Sequence, residues 1–435
     1  MKLIWMFFKT KIIFFLLKIK IERFTGLYSS KWYKKIKTLL FLKHLKKSKY
    51  YESFSIYNSD FFDLPIMNKS LFMENFNTIN NCGITYEEAS EIAENAEISR
   101  NFSSMIRGIA VGLSTGTSGN RGIFLVSETE RAYWVAYMID RVIGFSFRKV
   151  DIAFFLRANN KLYESAKSKI ISFNFFNTYE NIDSHIERLN NLSPNILIAQ
   201  PSVLTILAQK KLNGELKINP NKIISVAEIL TNEDKTYFEE IFKIKLSEVY
   251  QCTEGFLASS CSEGILHFNE DFLIIEKKYI DKERIRFHPI ITDLLRKSQP
   301  VVKYELNDII TEKKNCKCGS KFLAIESIDG RSDDIIVLED NQHKKVSIFP
   351  DIIRRTIVLS DERIEDYAFI QKDDRTIHLY VKSDFKESYL LAKKDLIKRL
   401  KDYNITDFNI INMDIHKHND GEKKRRVKNE YTQKN

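Results

Sequence analysis

Glycine and cysteine are scarce in this chain, which contains 14 glycines and five cysteines in 435 residues. An odd number of cysteines and the lack of a small-residue cleavage site after the first residues argue against a disulfide-bonded secreted protein, so we expect a cytoplasmic one. Within Met1–Lys20 no uninterrupted apolar run is longer than Ile12–Leu17. That is far below the roughly 20 residues of a membrane span.

The chain also lacks an aromatic–basic motif of the kind that reads nucleic acid. Its net charge is +10, from 68 Lys and Arg against 58 Asp and Glu. We interpret this charge as mostly solvated surface that helps to attract small anionic ligands, and we expect no specific nucleic-acid partner. An apolar content of 43% fits a globular protein with a large core and more than one domain.

The N-terminal residues 1–50 are predicted to form a helical extension. Met1–Lys20 is very apolar but is interrupted by lysines. We favour a helix packed on the main domain, and the alternative is a basic amphipathic helix that makes weak contact with a membrane surface. Trp32–Tyr50 has the spacing of a second, amphipathic helix.

Four of the few glycines fall in one short stretch, Gly112–Gly122, where they alternate with hydroxyl side chains. Glycine lets backbone N–H groups approach an anion closely, and Ser and Thr add donors, so the stretch predicts a phosphate-binding loop. Ile109–Leu113 before it and Ile123–Val126 after it are predicted strands. The next helix begins only at the capping box Ser127-x-x-Glu130.

This strand–loop–strand setting excludes two common nucleotide loops. A Walker loop joins a strand to a helix and ends in Gly-Lys-Ser/Thr, and neither feature is present. The Gly-x-Gly-x-x-Gly pattern of dinucleotide folds is also missing.

Apolar runs alternate with helical patterns between residues 149 and 250, which predicts an α/β sheet covered by helices. The predicted strands are Asp151–Leu156, Lys169–Phe173, Asn195–Ala199, Lys222–Val226 and Glu248–Cys252, and the predicted helices are Ser202–Leu212 and Asn232–Lys243. A strand-rich region follows, including a predicted strand at Val301–Tyr304. Beyond Gly330-Arg331 we predict a small α+β unit that ends in a mobile polar tail after Asn419.

Three further motifs carry chemistry. Tyr250-x-x-Thr253-Glu254-Gly255 ends a strand in a carboxylate turn, and Glu254 is well suited to Mg²⁺, which prefers carboxylate oxygens and phosphate. Asp308 closes another strand, where a carboxylate can accept both ribose hydroxyls. Arg331 can make forked contacts with ribose or phosphate, and the glycine and acids around it suit a hinge.

The order of these motifs along the chain resembles the adenylate-forming (ANL) superfamily, and most of all its phenylacetate–CoA ligase branch. The likeness extends over roughly residues 30–430 and is greatest for the adenylating proteins of that branch found beside cell-surface polysaccharide genes. Segments that carry it are Leu64–Lys69, Ala96–Arg100, Cys252–Gly255, His288–Asp293 and Gln299–Tyr304. The resemblance implies an α/β fold with a large multi-sheet adenylation domain (1–330) and a small α+β domain (331–435), joined by a hinge.

The resemblance also implies residue roles. Ser114, Thr115, Gly116, Thr117, Ser118 and Gly119 would hold the β- and γ-phosphates of ATP. Ala227, Glu228, Tyr250 and Gln251 would border adenine, Thr253 and Glu254 would serve the α-phosphate and Mg²⁺, Asp308 and Arg331 would hold ribose, and Asp333 would be the hinge.

Two positions depart from the family pattern or leave alternatives. Family members carry a catalytic lysine in Gly-Lys-x-x-Arg near the C-terminus; here Gly421-Glu-Lys423-Lys-Arg-Arg426 fits with one insertion, which favours Lys423 and leaves Lys424 as the alternative. The phosphate loop lacks the usual lysine, and Arg121 is the residue that stands near its place.

Four potential metal ligands also occur in this cysteine-poor chain. Cys316-x-Cys318 reads as a knuckle-like turn, and Cys261 and His267 lie on a predicted strand–turn–strand. A Cys₃His set suits structural Zn²⁺, and the alternative is buried free cysteines with a surface histidine.

These observations favour an AMP-forming ligase that activates a carboxylic acid with Mg–ATP and passes the acyl group to CoA or another acceptor. An adenylyltransferase that leaves AMP on a hydroxyl is the alternative. A non-catalytic protein that binds anions or a membrane through its basic N-terminus is the third hypothesis. A homodimer is left open.

Overall fold

The computed structural model describes residues 2–54, 61, 64–99, 105–114, 122–144, 146, 148–156, 170–178, 180–361, 363–413 and 425–431. These residues divide into two compact units. The first unit runs to Leu306 and includes Glu312–Ser327, and the second contains Asn307–Thr311 and the residues from Ile328 onward.

Helices of the described residues are numbered in chain order. In the first unit they are α1 Lys2–Phe24, α2 Lys31–Leu45, α3 Lys49–Glu52, α4 Lys69–Glu74, α5 Phe76–Ile79, α6 Tyr86–Ser99, α7 Glu128–Met138, α8 Ile186–Leu192, α9 Pro201–Leu212 and α10 Asn232–Phe242. In the second unit they are α11 Pro350–Ser360 and α12 Lys386–Lys401.

Strands are numbered in the same way. Before the boundary between the units they are β1 Met105–Ile106, β2 Ile109–Leu113, β3 Ile123–Val126, β4 Val150–Leu156, β5 Ile171–Asn177, β6 Ile196–Ala199, β7 Lys222–Ser225, β8 Leu246–Gln251, β9 Phe256–Ser260, β10 Leu266–Phe268, β11 Leu273–Tyr279, β12 Arg286–Asp293 and β13 Tyr304–Glu305. β14 Asp308–Lys313 and β15 Ala324–Arg331 cross the boundary. The second unit then contains β16 Ile336–Glu339, β17 Lys345–Ile348, β18 Asp366–Gln371, β19 Thr376–Lys382, β20 Asn409–Asn412 and β21 Val427–Asn429.

The main sheet changes from parallel to antiparallel at β8. Strands β5, β4, β6, β7 and β8 are parallel neighbours in that order. From β8 the sheet continues antiparallel through β9 and β10, and its remaining order is β15, β14, β12 and β11, with β13 beside β12. The carboxyl ends of the parallel strands therefore lie along one edge of the sheet. This edge ends at β8, where the pairing becomes antiparallel.

The predicted β/α alternation is confirmed between residues 150 and 251. Strands β6 and β7 are buried apolar runs, as expected for parallel strands covered by helices on both faces. Helices α9 and α10 pack their apolar sides on this sheet through Leu204, Leu207 and Phe238, which are fully buried. With sheets of three, twelve, two and four strands among the described residues, the predicted multi-sheet α/β fold class is confirmed.

The strand–loop–strand prediction is also confirmed. β2 and β3 pair antiparallel on either side of the glycine-rich stretch, with Leu113 opposite Ile123. The capping box at Ser127 forms as predicted and begins α7. The predicted strand at Val301–Tyr304 is wrong for most of its length: only its last residue enters a strand, β13.

The N-terminal segment packs on the first unit, which confirms the favoured interpretation of Met1–Lys20. Phe8, Ile12, Phe15 and Ile19 are buried at a spacing of three and four residues along α1. The Phe15 ring stacks on Tyr133 of α7, with ring centroids 3.6 Å apart. Among the described residues, no helix is long and apolar enough to cross a membrane.

The second unit is a small α+β body with its own core, as predicted. α11 and α12 bury Ile353, Ile357 and Leu396 against the sheet of order β20, β19, β18, β21. The expected mobility of the whole tail after Asn419 is wrong for residues 425–431. Val427 is buried in this core and β21 pairs parallel with β18, so a single apolar residue among polar neighbours is enough to anchor the strand.

Candidate functional site

Three turns of the first unit lie at the carboxyl ends of neighbouring parallel strands. Gln200 follows β6, Ala227-Glu228 follows β7, and Cys252–Gly255 follows β8. Open α/β sheets bind ligands outside these ends, where backbone groups and helix N-termini are exposed at one edge. The residues that the sequence nominates for adenine, α-phosphate and Mg²⁺ are therefore carried by adjacent turns.

Glu254 is held by hydroxyl groups on both of its carboxylate oxygens. Thr253 Oγ1 donates to Glu254 Oε2 at 3.1 Å. Tyr304 OH donates to Glu254 Oε1 at 3.2 Å. Burial, and then the nearby Glu254 carboxylate, raise the pKa of Tyr304 far above its usual value, so its hydroxyl remains a donor. Sequence reasoning missed this role of Tyr304, although the residue belongs to a quoted motif.

A second carboxyl group, Asp293, lies under the same turn. A Cβ atom built on Gly255 would stand 3.2 Å from Asp293 Oδ2, so the turn and the carboxyl are in close approach. Burial raises the pKa of Asp293 from 3.8 to about 7, although its Oδ1 accepts a hydrogen bond from the Leu295 N–H at 2.9 Å. A carboxyl group with a pKa of about 7 thus lies against Gly255, the residue that follows Glu254.

The base of the glycine-rich loop is closed by two hydrogen bonds. The Ser114 N–H donates to the Gly122 carbonyl at 2.8 Å, and the Gly122 N–H donates to Ser114 Oγ at 2.7 Å. Ser114 therefore fixes the loop's ends with the hydroxyl that was predicted to contact phosphate. The other predicted loop residues lie outside the described residues: Thr115, Gly116, Thr117, Ser118, Gly119 and Arg121.

A lysine that sequence reasoning did not single out runs past this loop base. A Cβ atom on Gly122 would lie 3.2 Å from Lys69 Cε and 2.9 Å from the Phe124 ring, so glycine is required at this close approach. Lys69 opens α4, behind the N-cap Asn68. Lys69 belongs to the segment Leu64–Lys69, which was quoted only for its likeness to the family and not for a role in the site.

Glu228 and Ala227 form the turn after β7. Glu228 accepts hydrogen bonds from the Ser202 N–H at 3.2 Å and from Ser202 Oγ at 3.1 Å, at the first turn of α9. A carboxylate is stabilised there by the free N–H groups and the helix dipole. Ala227 is exposed and has φ of 68°, a left-handed conformation that turns the chain at the sheet edge.

Tyr250 and Gln251 end β8. Tyr250 is buried, with its ring edge-on to Phe268 at 6.3 Å between centroids. Gln251 accepts a hydrogen bond from Trp134 Nε1 at 3.1 Å, which ties the end of β8 to α7. Trp134 is a second residue that the sequence did not reveal, because its partner is 117 positions away.

In the second unit the structure brings together the two motifs that were predicted to hold ribose and to form the hinge. Arg331 Nε lies 3.6 Å from Asp308 Oδ1. The Ser332 N–H donates to the Asn307 carbonyl at 2.8 Å, and Asn307 Nδ2 lies 3.5 Å from Asp333 Oδ2. The start of β14 is thus fastened to the end of β15.

The C-terminal tail is anchored beside the same segment. Arg425 pairs with Asp334, and Arg426 Nε contacts Asp366 Oδ1 at 3.1 Å. Lys423 and Lys424 lie outside the described residues and directly precede this anchor.

A separate cluster in the first unit unites the four predicted metal ligands. The ligand atoms of Cys261, His267, Cys316 and Cys318 all lie within 4.8 Å of one another. Cys261 Sγ and Cys316 Sγ are 3.7 Å apart, and Cys318 Sγ is 3.4 Å from His267 Nε2. Zinc bonds of about 2.3 Å to sulfur and about 2.1 Å to nitrogen place tetrahedral ligands about 3.6–3.8 Å apart, so the residues fit the ion.

The cluster is oriented by its backbone. His267 lies in β10, and its Nδ1 is 2.9 Å from the Phe322 carbonyl, which leaves Nε2 directed at Cys318. In the Cys316–Gly319 turn the Gly319 N–H donates to the Cys316 carbonyl, and Gly319 has φ of 74°. Antiparallel pairing of β10 with both β9 and β15 holds the two halves together.

Comparison with solved structures identifies the fold. A 2-hydroxyisobutyryl-CoA ligase in the postadenylation state, in complex with R3-HIB-AMP, matches with a TM-score of 0.66 at 12% identity, over 92% of this chain and 89% of its own. The chain shares the fold of this ligase. An anthranilate CoA ligase in complex with anthranoyl-AMP also matches, over 70% of this chain and 63% of its own, with a TM-score of 0.52 at 12% identity.

One curated relative is similar in sequence over a shorter stretch. Indoleacetate–lysine synthetase of Pseudomonas savastanoi is 29% identical over 135 residues, which are 29% of this chain and 32% of that protein. This chain thus matches about a third of the relative's length. No protein-family model matches the sequence.

Proposed function

We propose that this protein is an AMP-forming ligase that activates a carboxylic acid with Mg–ATP, releases pyrophosphate and transfers the acyl group to an acceptor. The observation that carries the proposal is the Thr253-Glu254 turn at the point where the sheet changes direction. Its carboxylate is already oriented by Thr253 and Tyr304. The fold shared with an acyl-CoA ligase over 92% of the chain supports the same conclusion.

In the proposed reaction the substrate carboxylate attacks the α-phosphorus of ATP, and pyrophosphate leaves. Negative charge builds up on the non-bridging oxygens, so oriented donors and cations lower the barrier. When ATP binds, Thr253 turns its single hydroxyl hydrogen from Glu254 to an α-phosphate oxygen, and the loop closed by Ser114 and Gly122 holds the β- and γ-phosphates. Glu254 would hold Mg²⁺, which neutralises phosphate charge when bound.

Two lysines supply fixed positive charge in this proposal. Lys423 acts on the attacked phosphate, with Lys424 as the alternative. Lys69 takes the place of the missing loop lysine, because its Cε already lies against the loop base. Arg121 remains the sequence alternative for that role.

The second unit contributes to nucleotide binding in the same scheme. Asp308 accepts the ribose hydroxyls, and Arg331 orients this carboxylate and contacts ribose or phosphate. Asp333 is the proposed hinge. An acyl adenylate hydrolyses easily, so a movement at the hinge that excludes water has a clear chemical purpose.

We also propose that the Cys/His cluster binds structural Zn²⁺. Four protein ligands close the coordination sphere and leave no open position for a substrate, which is typical of structural rather than catalytic zinc. The distances among the ligand atoms and the orientation of His267 support this assignment.

Membership of the phenylacetate–CoA ligase branch and a role in cell-surface polysaccharide synthesis remain parts of the proposal that rest on sequence likeness. CoA is proposed as an acyl acceptor because the structural neighbours include CoA ligases. An amine is proposed beside it because the curated relative is named for indoleacetate and lysine. A homodimer stays open to test.

The experiment that separates these acceptors is product analysis. The protein is incubated with ATP, Mg²⁺ and a panel of apolar and aromatic carboxylic acids, with and without CoA or amino acids, and the products are identified by mass spectrometry. A thioester or amide together with AMP supports the proposal. A stable AMP ester of a hydroxyl compound would replace it with adenylyl transfer, and no AMP formation with any substrate would contradict it.

A further inference from the structure

Helix α1 has two apolar faces, and only one of them is covered by protein. Its buried face consists of Phe8, Ile12, Phe15 and Ile19. The opposite face is exposed and equally apolar. We call it the outer stripe, and its members, with their exposed fractions, are Met6 (54%), Phe7 (57%), Ile13 (57%), Phe14 (63%), Leu17 (58%), Ile21 (59%) and Phe24 (94%).

Exposed apolar residues on a protein surface are ordinary when they are scattered, but a contiguous patch marks a binding surface. The outer stripe is contiguous because its residues recur at helical spacing along the whole of α1. The buried carboxylate Asp140 fixes the orientation of the helix, since it pairs with Lys20 at 2.8 Å and Arg23 at 2.7 Å. The stripe is therefore presented by a helix that is held in place.

Basic residues border the outer stripe on both sides. At about 100° of rotation per residue, Lys9 and Lys20 fall on one flank of α1, and Lys11 and Lys18 fall on the other. The ammonium groups of Lys11, Lys18 and Lys20 pair with carboxylates of the protein itself, so these lysines hold the helix in place beside the stripe.

The second helix extends this basic and apolar surface. α2 is joined to the end of α1 through Glu22, which accepts hydrogen bonds from Tyr33 and Lys37 at 2.7 Å each. Trp32 on α2 is 68% exposed, and Lys31 and Lys35 beside it are exposed as well. Tryptophan and lysine are the side chains that favour a membrane–water interface.

The positive charge of the protein is concentrated in this region. Residues 1–50 contain 14 lysines and arginines and one acid, a net charge of +13, whereas the whole chain carries +10, so residues 51–435 carry −3. The net positive charge of the whole chain therefore comes from its first 50 residues. Two copies of this surface would oppose like charges, whereas an anionic lipid surface would neutralise them.

From these observations we infer that α1 and α2 dock the protein on an anionic lipid bilayer, with the outer stripe in the acyl boundary and the exposed Lys31 and Lys35 of α2 among the headgroups. The helix lies in the plane of the interface, because its other face is packed on α7 and it is too short in apolar sequence to cross. This inference does not depend on the adenylation chemistry.

The test is co-sedimentation of the full chain with vesicles of phosphatidylcholine alone and of phosphatidylcholine mixed with phosphatidylserine. We expect binding to the mixed vesicles that weakens as salt is raised, and much less binding to phosphatidylcholine. Replacing Phe14, Leu17 and Ile21 together by Gln should abolish binding. The matched control is Leu212→Gln on α9, where the leucine is 64% exposed, and this variant should bind as the parent does.

A charge variant separates the two contributions. Lys31→Gln with Lys35→Gln should lower partitioning by roughly fivefold for each lysine removed and should reduce the salt dependence. Thermal unfolding of every variant checks that the fold is kept, because all of these side chains are exposed. Failure of the parent to bind mixed vesicles would overturn the inference. The inference would also be overturned by an outer-stripe variant that still binds mixed vesicles but changes from dimer to monomer. The stripe would then be the contact between two copies of the chain.

Discussion

The Cys/His cluster and the turns proposed to bind nucleotide are built in different ways. All four cluster residues lie in the first unit, on strands or the turns joined to them, and their ligand atoms are within 4.8 Å of one another. The proposed nucleotide residues Glu228 and Glu254, in the same unit, lie on turns beyond the ends of β7 and β8. Strand pairing therefore brings the cluster residues together, whereas the proposed nucleotide residues lie beyond the paired strands.

This difference has a consequence for mutagenesis. Residues of the cluster connect strands that are distant in the sequence. Substitutions there should therefore lower stability without changing the rate of the reaction. The turn residues Glu228, Thr253 and Glu254 are only half-buried, so we expect substitutions there to change turnover more than stability.

The largest effect on turnover is expected at the C-terminal lysine. Lys423→Ala should lower the rate of adenylate formation by about 10²–10³-fold, because a fixed charge on the transition state is lost, while ATP still binds. Single-turnover kinetics with a binding assay for ATP measures both quantities. Lys424→Ala is the matched control and should retain most activity; if it alone is inactive, the assignment moves by one residue.

The next largest effect is expected at Glu254. Glu254→Gln keeps the shape and the hydrogen bond from Tyr304 but removes the charge, so turnover should fall by about 10²-fold with an unchanged unfolding temperature. Raising the Mg²⁺ concentration should restore part of the activity. Glu187→Gln, at an exposed carboxylate on α8, is the control. Equal losses in both variants would show that the turn has no special role.

The metal cluster should show the opposite behaviour. Cys316→Ser should remove bound zinc and lower the free energy of unfolding by about 5 kcal/mol, with little change in turnover for the fraction that stays folded. Metal analysis and thermal unfolding are the measurements. Cys82→Ser, outside the cluster, should change neither. Protein purified without chelators that contains no zinc would contradict the assignment.

The smallest effect concerns pH. Burial raises the pKa of Asp293 from 3.8 to about 7. The folded state therefore holds this proton more tightly than the unfolded state, so the stabilisation is complete below about pH 4 and is lost as the pH rises through 7. We expect a fall of about 1 kcal/mol per pH unit in this window, which Asp293→Asn should remove. Denaturant unfolding at several pH values tests this, and identical slopes in both proteins would refute it.

Much of the fold was accessible from local sequence signals. The capping box predicted at Ser127 forms. The apolar runs of β4, β6 and β7 lie where the pattern predicts. Strands β14, β15 and β21 escaped sequence reasoning because they mix polar and apolar residues, and their pairing depends on partners that are distant in the chain.

The candidate site was accessible in part for the same physical reason. Motifs identify residues by their type, so the sequence singles out Glu254, Asp308 and Arg331 as candidates. It also singles out the four Cys/His residues, which the structure brings together. Tyr304 and Trp134 act on site residues 50 and 117 positions away, and no local pattern records such contacts. The sequence did not predict the outer stripe because both faces of α1 are apolar. Such a pattern is typical of a helix that is buried on all sides.

Exchange of labelled pyrophosphate into ATP is the most direct test of carboxylate activation. With Mg²⁺ and a panel of carboxylic acids, we expect exchange that requires one class of acid and that disappears in Glu254→Gln. Cys82→Ser should exchange as the parent does. Exchange that is independent of any carboxylic acid, or no exchange across the panel by a folded, zinc-containing protein, would contradict acid activation.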